Sequence, residues 1–433
     1  MIAPADARLG LRERRLPGLA VVLDAEAFAE ALAGALPDLP LTGARATYAR
    51  YKPGVSCLVA FRVRVGDEEH DVYARALRPS AQDKLAAAHR RAQEQSSLGP
   101  GGLVLDRWAV AVHAFPHDRR LPTLAHLQDP QRRTKLFERL LPHHQHLRGG
   151  ALTGLRYNAE RRWVARLDAP GGRALVKVMQ RAPVRRAMAA RDALARRAPI
   201  PELLGASRRH GLVALEWLEG EALEGHLESM PRVAEAVGPA LAAVHEIDGL
   251  GLATAPDSEA QRLTAAARAT LVVSPALAQR ADRLATALAG ELRVAGPRTA
   301  VHGDFSADQV VLGASGAMLI DLDEARRDDP AVDLAGFAAE LRLRVVRRRL
   351  SAAAAEQAWE ALREGYRAAG GCAVTSGPAL SRRVAAALLL RAAEPFRLRE
   401  HDWDEQVAAL VEDAERAAGM AQGRDGEPLL AAG

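Results

Sequence analysis

The sequence predicts an α+β protein with a strand-rich first half and a mainly helical second half. Three observations carry this. Short runs in which apolar and polar residues alternate, separated by Gly, Pro or Asn, recur up to about residue 225. From Pro231 onward apolar residues recur at helical spacing. One strand–turn–strand stretch, Val301 to Ala335, interrupts the helical half and gathers eight Asp or Glu residues.

At 433 residues the chain exceeds one ordinary core, so two or three packed units are expected. With 48% apolar and 26% charged residues it reads as a soluble globular protein. No apolar run reaches the ~20 residues of a membrane span. The opening MIAPADARLGLRERRLPG lacks the apolar core of a secretory signal, so a cytoplasmic protein without a membrane partner is expected. Net charge is +5, but Arg is scattered and aromatics are 4%, which argues against a nucleic-acid partner. Cys57 and Cys372 are isolated and read as reduced thiols. Lys occurs only at Lys52, Lys84, Lys135 and Lys177. Where Arg is the default cation, a retained Lys points to a need for a compact point charge.

The elements follow in order. ATYARYKPGVSCLVAFRVRV predicts two strands around Lys52-Pro53-Gly54, and HDVYARAL a third. Residues 80–95 read as helix, GLVLDRWAVAVHAF as two strands, and 136–147 as helix. The pattern then repeats. GLRYNAERRWVARLD is strand, turn and strand, RALVKVM a third strand, 184–197 a helix, and GLVALEWLEGEALEGHL a strand pair leading into a connector. Arg50-Tyr51 aligns with Arg156-Tyr157, and Arg75 with Lys177, at an offset near one hundred residues. This reads as a degenerate duplication of one strand-rich unit. Helices are predicted over 231–247, 258–292, 334–349, 351–369, 378–398 and 403–418, and 421–433 as a loose tail.

The interrupting stretch predicts a hairpin, QVVLG and AMLIDLD around GASG. Pairing across it brings Gln309 near Asp321, with Asp304 within a few ångströms of both. Carboxylate and amide oxygens converging there suit a hard cation such as Mg²⁺. Asp304 can then accept a proton from a hydroxyl.

HGDFSADQ followed by IDLDEARRDDPAVDLA resembles the aminoglycoside phosphotransferase and choline kinase superfamily, whose fold is that of protein kinases. The resemblance spans about thirty-five residues. It implies a bilobal kinase-like fold: an N-terminal cap at 1–150 that is a degenerate repeat of the N-lobe, a β-rich nucleotide lobe at 151–225, a helical catalytic lobe at 226–420 and a tail at 421–433. An extra β-rich cap also occurs in bacterial maltose kinases. The resemblance makes Asp304 the catalytic base, has His302 brace its loop and has Asp333 hydrogen-bond that loop from the next helix. It gives the metal to Asp321, with Asp323 beside it and Gln309 where the family has Asn. Lys177 would hold the ATP phosphates, with Asp192 as its helix partner. The turn Tyr157 to Arg162 would cover them through Arg161 or Arg162, and Glu216, Trp217 and Leu218 would meet adenine. ATP and Mg²⁺ are the implied cofactors. The implied acceptor is a small-molecule hydroxyl on an aminoglycoside, sugar or amino alcohol; acids at Glu340, Glu394, Glu400, Asp402 and Asp404 are candidate acceptor contacts. The alternatives are a kinase acting on a peptide or protein, and a catalytically weak pseudokinase, which Gln309 and the poor helix partner motivate. Residues 1–150 are expected to bind no nucleotide.

Overall fold

The structure is a computed structural model that describes residues 2–96, 98–254, 259–292, 298–373 and 375–420. The expected tail at 421–433 lies outside them. The protein is α+β. It clusters into two compact units: Met1–Arg181 with Ser207–Ala214 and Pro395–Asp404, and Ala182–Ala206 with Leu215–Glu394 and Glu405–Gly433. Among the described residues no helix is long and apolar enough to cross a membrane.

The first unit begins with three helices that the sequence reading did not anticipate: α1 (Pro4–Arg12), α2 (Leu19–Leu23) and α3 (Ala25–Ala35). Asp24 starts α3 by accepting from the amides of Glu26 and Ala27, two of the donors a helix start leaves unpaired. A meander follows: β1 (Leu41–Lys52), β2 (Ser56–Val65) and β3 (Glu68–Leu77). Gly54, with φ of 59°, turns β1 into β2. Phe28 of α3 stacks on Phe61 of β2 with ring centroids 4.0 Å apart, anchoring the helix to the sheet. Then come α4 (Gln82–Arg90), the short pair β4 (Gln95–Ser96) and β5 (Gly99–Pro100), and the hairpin β6 (Gly102–Leu105) and β7 (Val110–Ala114). The sheet order is β1-β2-β3-β7-β6. After α5 (Thr123–Gln128), α6 runs Pro130–Leu140 rather than 136–147. Asp129 caps it and Pro130 fills its first turn, a start signal that outweighs the apolar spacing further on.

A second meander follows: β8 (Ala151–Asn158), β9 (Arg162–Ala169) and β10 (Gly172–Met179), then α7 (Arg181–Leu194), β11 (Leu203–Ser207) and β12 (Leu212–Glu216). The sheet order is β11-β12-β10-β9-β8. Read from the meander edge, this is the connectivity of the first sheet. The registers correspond as well. Arg50 pairs with Leu58, which pairs with Arg75. Arg156 pairs with Val164, which pairs with Lys177. Late in the chain, Pro395–Asp404 returns to this unit. Arg399 grips Asp6 with two bonds, of 2.6 and 3.2 Å, and Trp403 Nε1 donates to the same carboxylate at 3.1 Å.

The second unit holds α8 (Gly238–His245), preceded by a 3₁₀ stretch at Pro231–Val237 where a longer helix was expected. The expected helix at 258–292 is two helices, α9 (Glu259–Val273) and α10 (Ala278–Glu291). Pro275 between them has no N–H to continue the ladder. Two small sheets lie in this unit. β13 (Glu221–Ala222), β15 (Val310–Gly313) and β16 (Gly316–Leu319) form one; β14 (Thr299–Val301) and β17 (Arg326–Asp328) form the other. The remaining helices of this unit are α11 (Ala331–Val346), α12 (Ala352–Ala368) and α13 (Pro378–Arg391); α14 (Glu394–Arg397), from Pro395 on, and the first residues of α15 (Trp403–Ala417) fall in the segment that returns to the first unit, and the rest of α15 belongs to the second. Helix α11 buries Leu334, Phe337, Ala338 and Leu341, so it is central to the helical core.

Cys57 is fully buried on β2, and burial pushes its thiol up to about 12; Cys372 is exposed. A thiol-reactive dye is expected to label Cys372 in the native protein and Cys57 only after denaturation. Rapid native labelling of both thiols would contradict this packing.

Candidate active site

The hairpin of β15 and β16 sets the site by counting. Val310 pairs with Leu319, and the Ile320 amide donates to the Gln309 carbonyl at 2.9 Å. Gln309 therefore lies opposite Ile320, one residue before Asp321. Asp321 adopts φ of 62°, a left-handed conformation that costs a non-glycine residue about 1 kcal/mol. Gln309 is buried, while Asp321 and Asp323 are half-buried.

The loop ahead of the hairpin is clamped from below. Val301 of β14 pairs with Arg326 of β17, which ties its start to the segment beyond the hairpin. The Asp333 carboxylate, in the first turn of α11 and 1% exposed, accepts from the His302 amide at 2.6 Å and the Gly303 amide at 2.8 Å. His245 Nε2 donates to it at 3.0 Å, and His245 Nδ1 pairs with the Tyr366 hydroxyl at 2.8 Å. Burial alone would push the Asp333 carboxyl up; the bonds and charge of His245, with His302 and the Gly303 amide, outweigh it and hold the group below its ordinary range. Gly303 has φ of 83°, and a Cβ there would meet the Glu324 carbonyl oxygen at 2.3 Å, so only Gly fits. The His302 ring is buried and its Nε2 donates to the Ile320 carbonyl at 2.7 Å. It thus joins the loop to the strand end that carries Asp321.

Asp304 projects from this clamped loop. Its side chain is 58% exposed and lies 3.6 Å from Arg391 Nη2. Solvent reaches the carboxylate, but protein atoms crowd around it and raise its pKa; Arg391 and His302 oppose that, while Asp321 and Asp308 reinforce it. Arg391, at the end of α13, also donates to Glu394 at 3.2 Å. Glu340 pairs with Arg344, which also bonds Glu224 at 2.6 Å.

Helix α7 presents Arg191, not Asp192, to the acids. Asp192 is exposed. Arg191 is 3% exposed, and its Nε and Nη1 have no hydrogen-bond partner. Burial lowers its pKa, while the charges of Asp323 and Asp321 raise it. The sequence did carry a signal: Val184, Ala187, Arg191 and Leu194 form one apolar face, and a charged residue there has to find a partner. Arg391 carried none, since Arg is common throughout the chain.

In the first unit, Lys177 is 4% exposed toward the end of β10, opposite Val164. Arg161 is exposed and donates to the Tyr48 hydroxyl at 3.4 Å; Arg162 is half-buried. In the second unit, the Glu216 amide donates to the Glu202 carbonyl at 2.9 Å, and its carboxylate accepts from the Glu202 amide at 3.1 Å. Trp217 and Leu218 are half-buried. Asp404 is bonded to Arg8 at 2.6 Å, and it lies with Glu400 and Asp402 in the segment belonging to the first unit; Glu340 and Glu394 belong to the second.

Residues 151–372, just over half of the chain, match the model of the phosphotransferase enzyme family. No curated protein matches the chain. Similar solved structures include a choline/ethanolamine kinase family protein from Mesorhizobium loti (18% identity, 66% of this chain and 93% of that one, TM-score 0.47). A thermostable mutant of aminoglycoside phosphotransferase APH(4)-Ia in its apo form is another (18%, 63% and 96%, 0.47). A third is the amicoumacin kinase hAmiN in complex with AMP-PNP, Ca²⁺ and Ami (14%, 66% and 93%, 0.49).

Asp333→Asn keeps the shape but turns an amide group toward donors. It is expected to destabilise the protein by about 3–5 kcal/mol, the usual result of breaking a buried charged network. The sign of the pH dependence follows from the depressed pKa. The wild-type contribution is complete above the ordinary carboxylate value of about 4 and is lost as pH falls toward the lower folded value. Melting temperatures measured from pH 7 down to pH 3 should therefore converge for wild type and variant at the acid end. Parallel curves would contradict the role given to Asp333.

Proposed function

Because the chain belongs to the phosphotransferase enzyme family, we propose that it moves the γ-phosphoryl group of ATP to a hydroxyl of a small molecule, with Asp304 as catalytic base. One observation carries this reading: an accessible carboxylate stands on a loop immobilised by Asp333 and His302, beside the strand end that carries Asp321. Phosphoryl transfer needs mostly positioning and charge neutralisation, and this is a positioned set.

In this reading Asp304 accepts the proton of the acceptor hydroxyl. The hydroxyl oxygen bonds to the γ-phosphorus as the bond to the bridging oxygen breaks, and ADP leaves with that electron pair. Lys177 holds the phosphates as a point charge, the turn from Tyr157 to Arg162 covers them with Arg161 or Arg162, and the backbone of Glu216 to Leu218 meets adenine. Residues 1–150 act as a cap, 151–225 as the nucleotide lobe and 226–420 as the helical catalytic lobe. Among the described residues no three His, Cys, Asp or Glu side chains converge as a metal site. Mg²⁺ does not need such a cage; it takes one or two carboxylates, waters and phosphate oxygens. The Asp321 carboxylate and the Gln309 amide oxygen fit that donor set, with Asp323 beside them. Bound Mg²⁺ would supply charge neutralisation at the phosphates.

Arg391 beside the base stands among Glu394, Asp304, Glu340 and Asp308, so the charge there is predominantly acidic and suits an aminoglycoside or amino alcohol as well as a sugar. The pseudokinase reading keeps one supporting observation: the buried Arg191 charge acts on Asp321 and Asp323, where a metal would compete with it.

The test is ADP release across a panel of polyols, amino alcohols and aminoglycosides, with Mg²⁺ present and absent. Acceptor-dependent release requiring Mg²⁺ is expected. Nucleotide binding that ignores Mg²⁺, with no release for any acceptor, would favour the pseudokinase. With an acceptor identified, Asp304→Asn should lower turnover by about 10²–10⁴-fold and leave ATP affinity nearly unchanged. Asp321→Ala should abolish Mg²⁺-dependent nucleotide binding, and Gln309→Asn should retain part of the activity. Near-normal turnover in Asp304→Asn would remove the base assignment.

A further inference from the structure

The turn between β8 and β9 is built against the first sheet, and its chemistry there is unlike that of an ordinary hairpin. The turn closes with the Arg161 amide donating to the Asn158 carbonyl at 2.9 Å. Glu160 takes φ of 60°. Gly or Asn would fill that position without strain, so a Glu there needs another reason. Its side chain is only 1% exposed. A buried carboxylate is unfavourable unless it is paired and fully bonded.

The pairing comes from the first sheet and the segment after it. Glu160 Oε2 accepts from Arg50 Nη2 at 2.8 Å and from Arg75 Nη2. Oε1 accepts from Arg119 Nε at 3.3 Å, and Arg120 Nε lies 3.7 Å from Oε2. The backbone of the turn is held as well. The Glu160 amide donates to Asp118 Oδ2 at 2.6 Å, the Tyr157 hydroxyl donates to the same oxygen at 2.8 Å, and Gln180 Nε2 donates to the Glu160 carbonyl at 2.9 Å. Next to it, Ala159 packs into an apolar cluster with Leu58, Ala60 and Tyr73 of the first sheet.

The location of the pairing cations gives the arrangement meaning. Arg50 and Arg75 flank Leu58 in one ladder row, and the matching row of the second sheet is Arg156, Val164 and Lys177. The first sheet therefore presents, at the place of the phosphate-binding Lys, a cation row already filled by an internal carboxylate. That carboxylate comes from the turn that covers the nucleotide phosphates in the function proposed above, on which this inference rests.

We propose that Glu160 is a positioning residue for nucleotide binding: the first sheet clamps it, and through it holds the phosphate-covering turn in its binding conformation. The N-terminal segment would then contribute to ATP affinity without touching ATP.

The test uses the full-length protein and the variants Glu160→Gly, Glu160→Gln and Arg119→Ala, with Lys177→Ala as control. Readouts are the affinity for AMP-PNP with Mg²⁺, the split between KM for ATP and kcat, and amide hydrogen exchange over 157–161. Glu160→Gly is decisive, because Gly relieves the positive φ: a mere turn residue would improve on this change. The clamp predicts instead faster exchange in the turn and an affinity about tenfold weaker, falling on KM more than on kcat. Arg119 is 39% exposed at the rim of the cluster, so Arg119→Ala should fold normally and show a smaller change in the same direction. It keeps the test decisive if the Glu160 variants fold poorly. Wild-type protein that binds AMP-PNP, together with folded variants whose affinity and exchange are unchanged, would overturn this inference and leave the proposed function standing. Wild-type protein that binds no nucleotide would overturn both.

Discussion

The buried Asp333 carboxylate determines the form of the candidate site. Two consecutive amides, of His302 and Gly303, point at it, and His245 completes its bonding from α8. Its position in the first turn of α11 adds the favourable field of a helix start. Turning two successive amides inward forces the chain into the left-handed region at Gly303, where the Glu324 carbonyl leaves no room for a Cβ. The chain then emerges so that Asp304 faces solvent. One acid is accessible because another is buried thirty residues later. The neighbouring acids serve the same frame. Asp328 takes Arg326 at 2.8 Å, Asp329 accepts from the Ala331 amide at 2.9 Å and binds Arg383 at 2.8 Å, and Asp308 accepts from Ser306 at 2.6 Å.

Arginine dominates the cation chemistry, and the structure uses its fork. Arg342 and Arg280 each grip one carboxylate with two nitrogens, Arg383 bridges Glu259 and Asp329, and Arg399 grips Asp6. Planar guanidinium matches carboxylate geometry, so such pairs set distances between distant segments. Lys177 carries a compact ammonium in place of a planar fork. It occupies a central strand position whose counterpart in the first sheet is Arg75, and the two cations differ in the way their ladder rows differ. Arg75 shares the Glu160 carboxylate with Arg50 within the unit.

Sequence was most informative where structure follows from counting. Hairpin register needs only a turn and an alternation, so a hairpin bringing Gln309 near Asp321 could be read, with the exact partner, Ile320, left to the structure; the two three-stranded meanders could be read as well. Where a stop or start signal competes with periodicity, the signal decided. Asp129-Pro130 moved α6 toward the N-terminus, and Pro275 divided α9 from α10. Side-chain partners brought together by tertiary packing were not legible. Arg391 lies beside Asp304 because α13 ends there, and nothing near either residue announces it. Arg191 was legible in part, as a charge on an apolar face. β17 was missed because Arg326-Arg327-Asp328 has no strand pattern, yet it pairs antiparallel with β14.

Two acids, Glu160 and Asp321, share a left-handed backbone that neither favours. Strain of this kind persists only when surrounding contacts over-determine it. At Glu160 the contacts are four guanidiniums, and their origin follows from the likeness of the two sheets. A cation row at the centre of a sheet, half buried, cannot stay unpaired without cost. The matching row of the second sheet is Arg156, Val164 and Lys177. In the row that contains Arg75 the pairing comes from within the unit. The anion that pairs Arg50 and Arg75 is Glu160, supplied by the adjoining sheet. The strained Glu at the hairpin tip and the paired arginines on the first sheet are therefore one feature, and neither has a physical reason without the other.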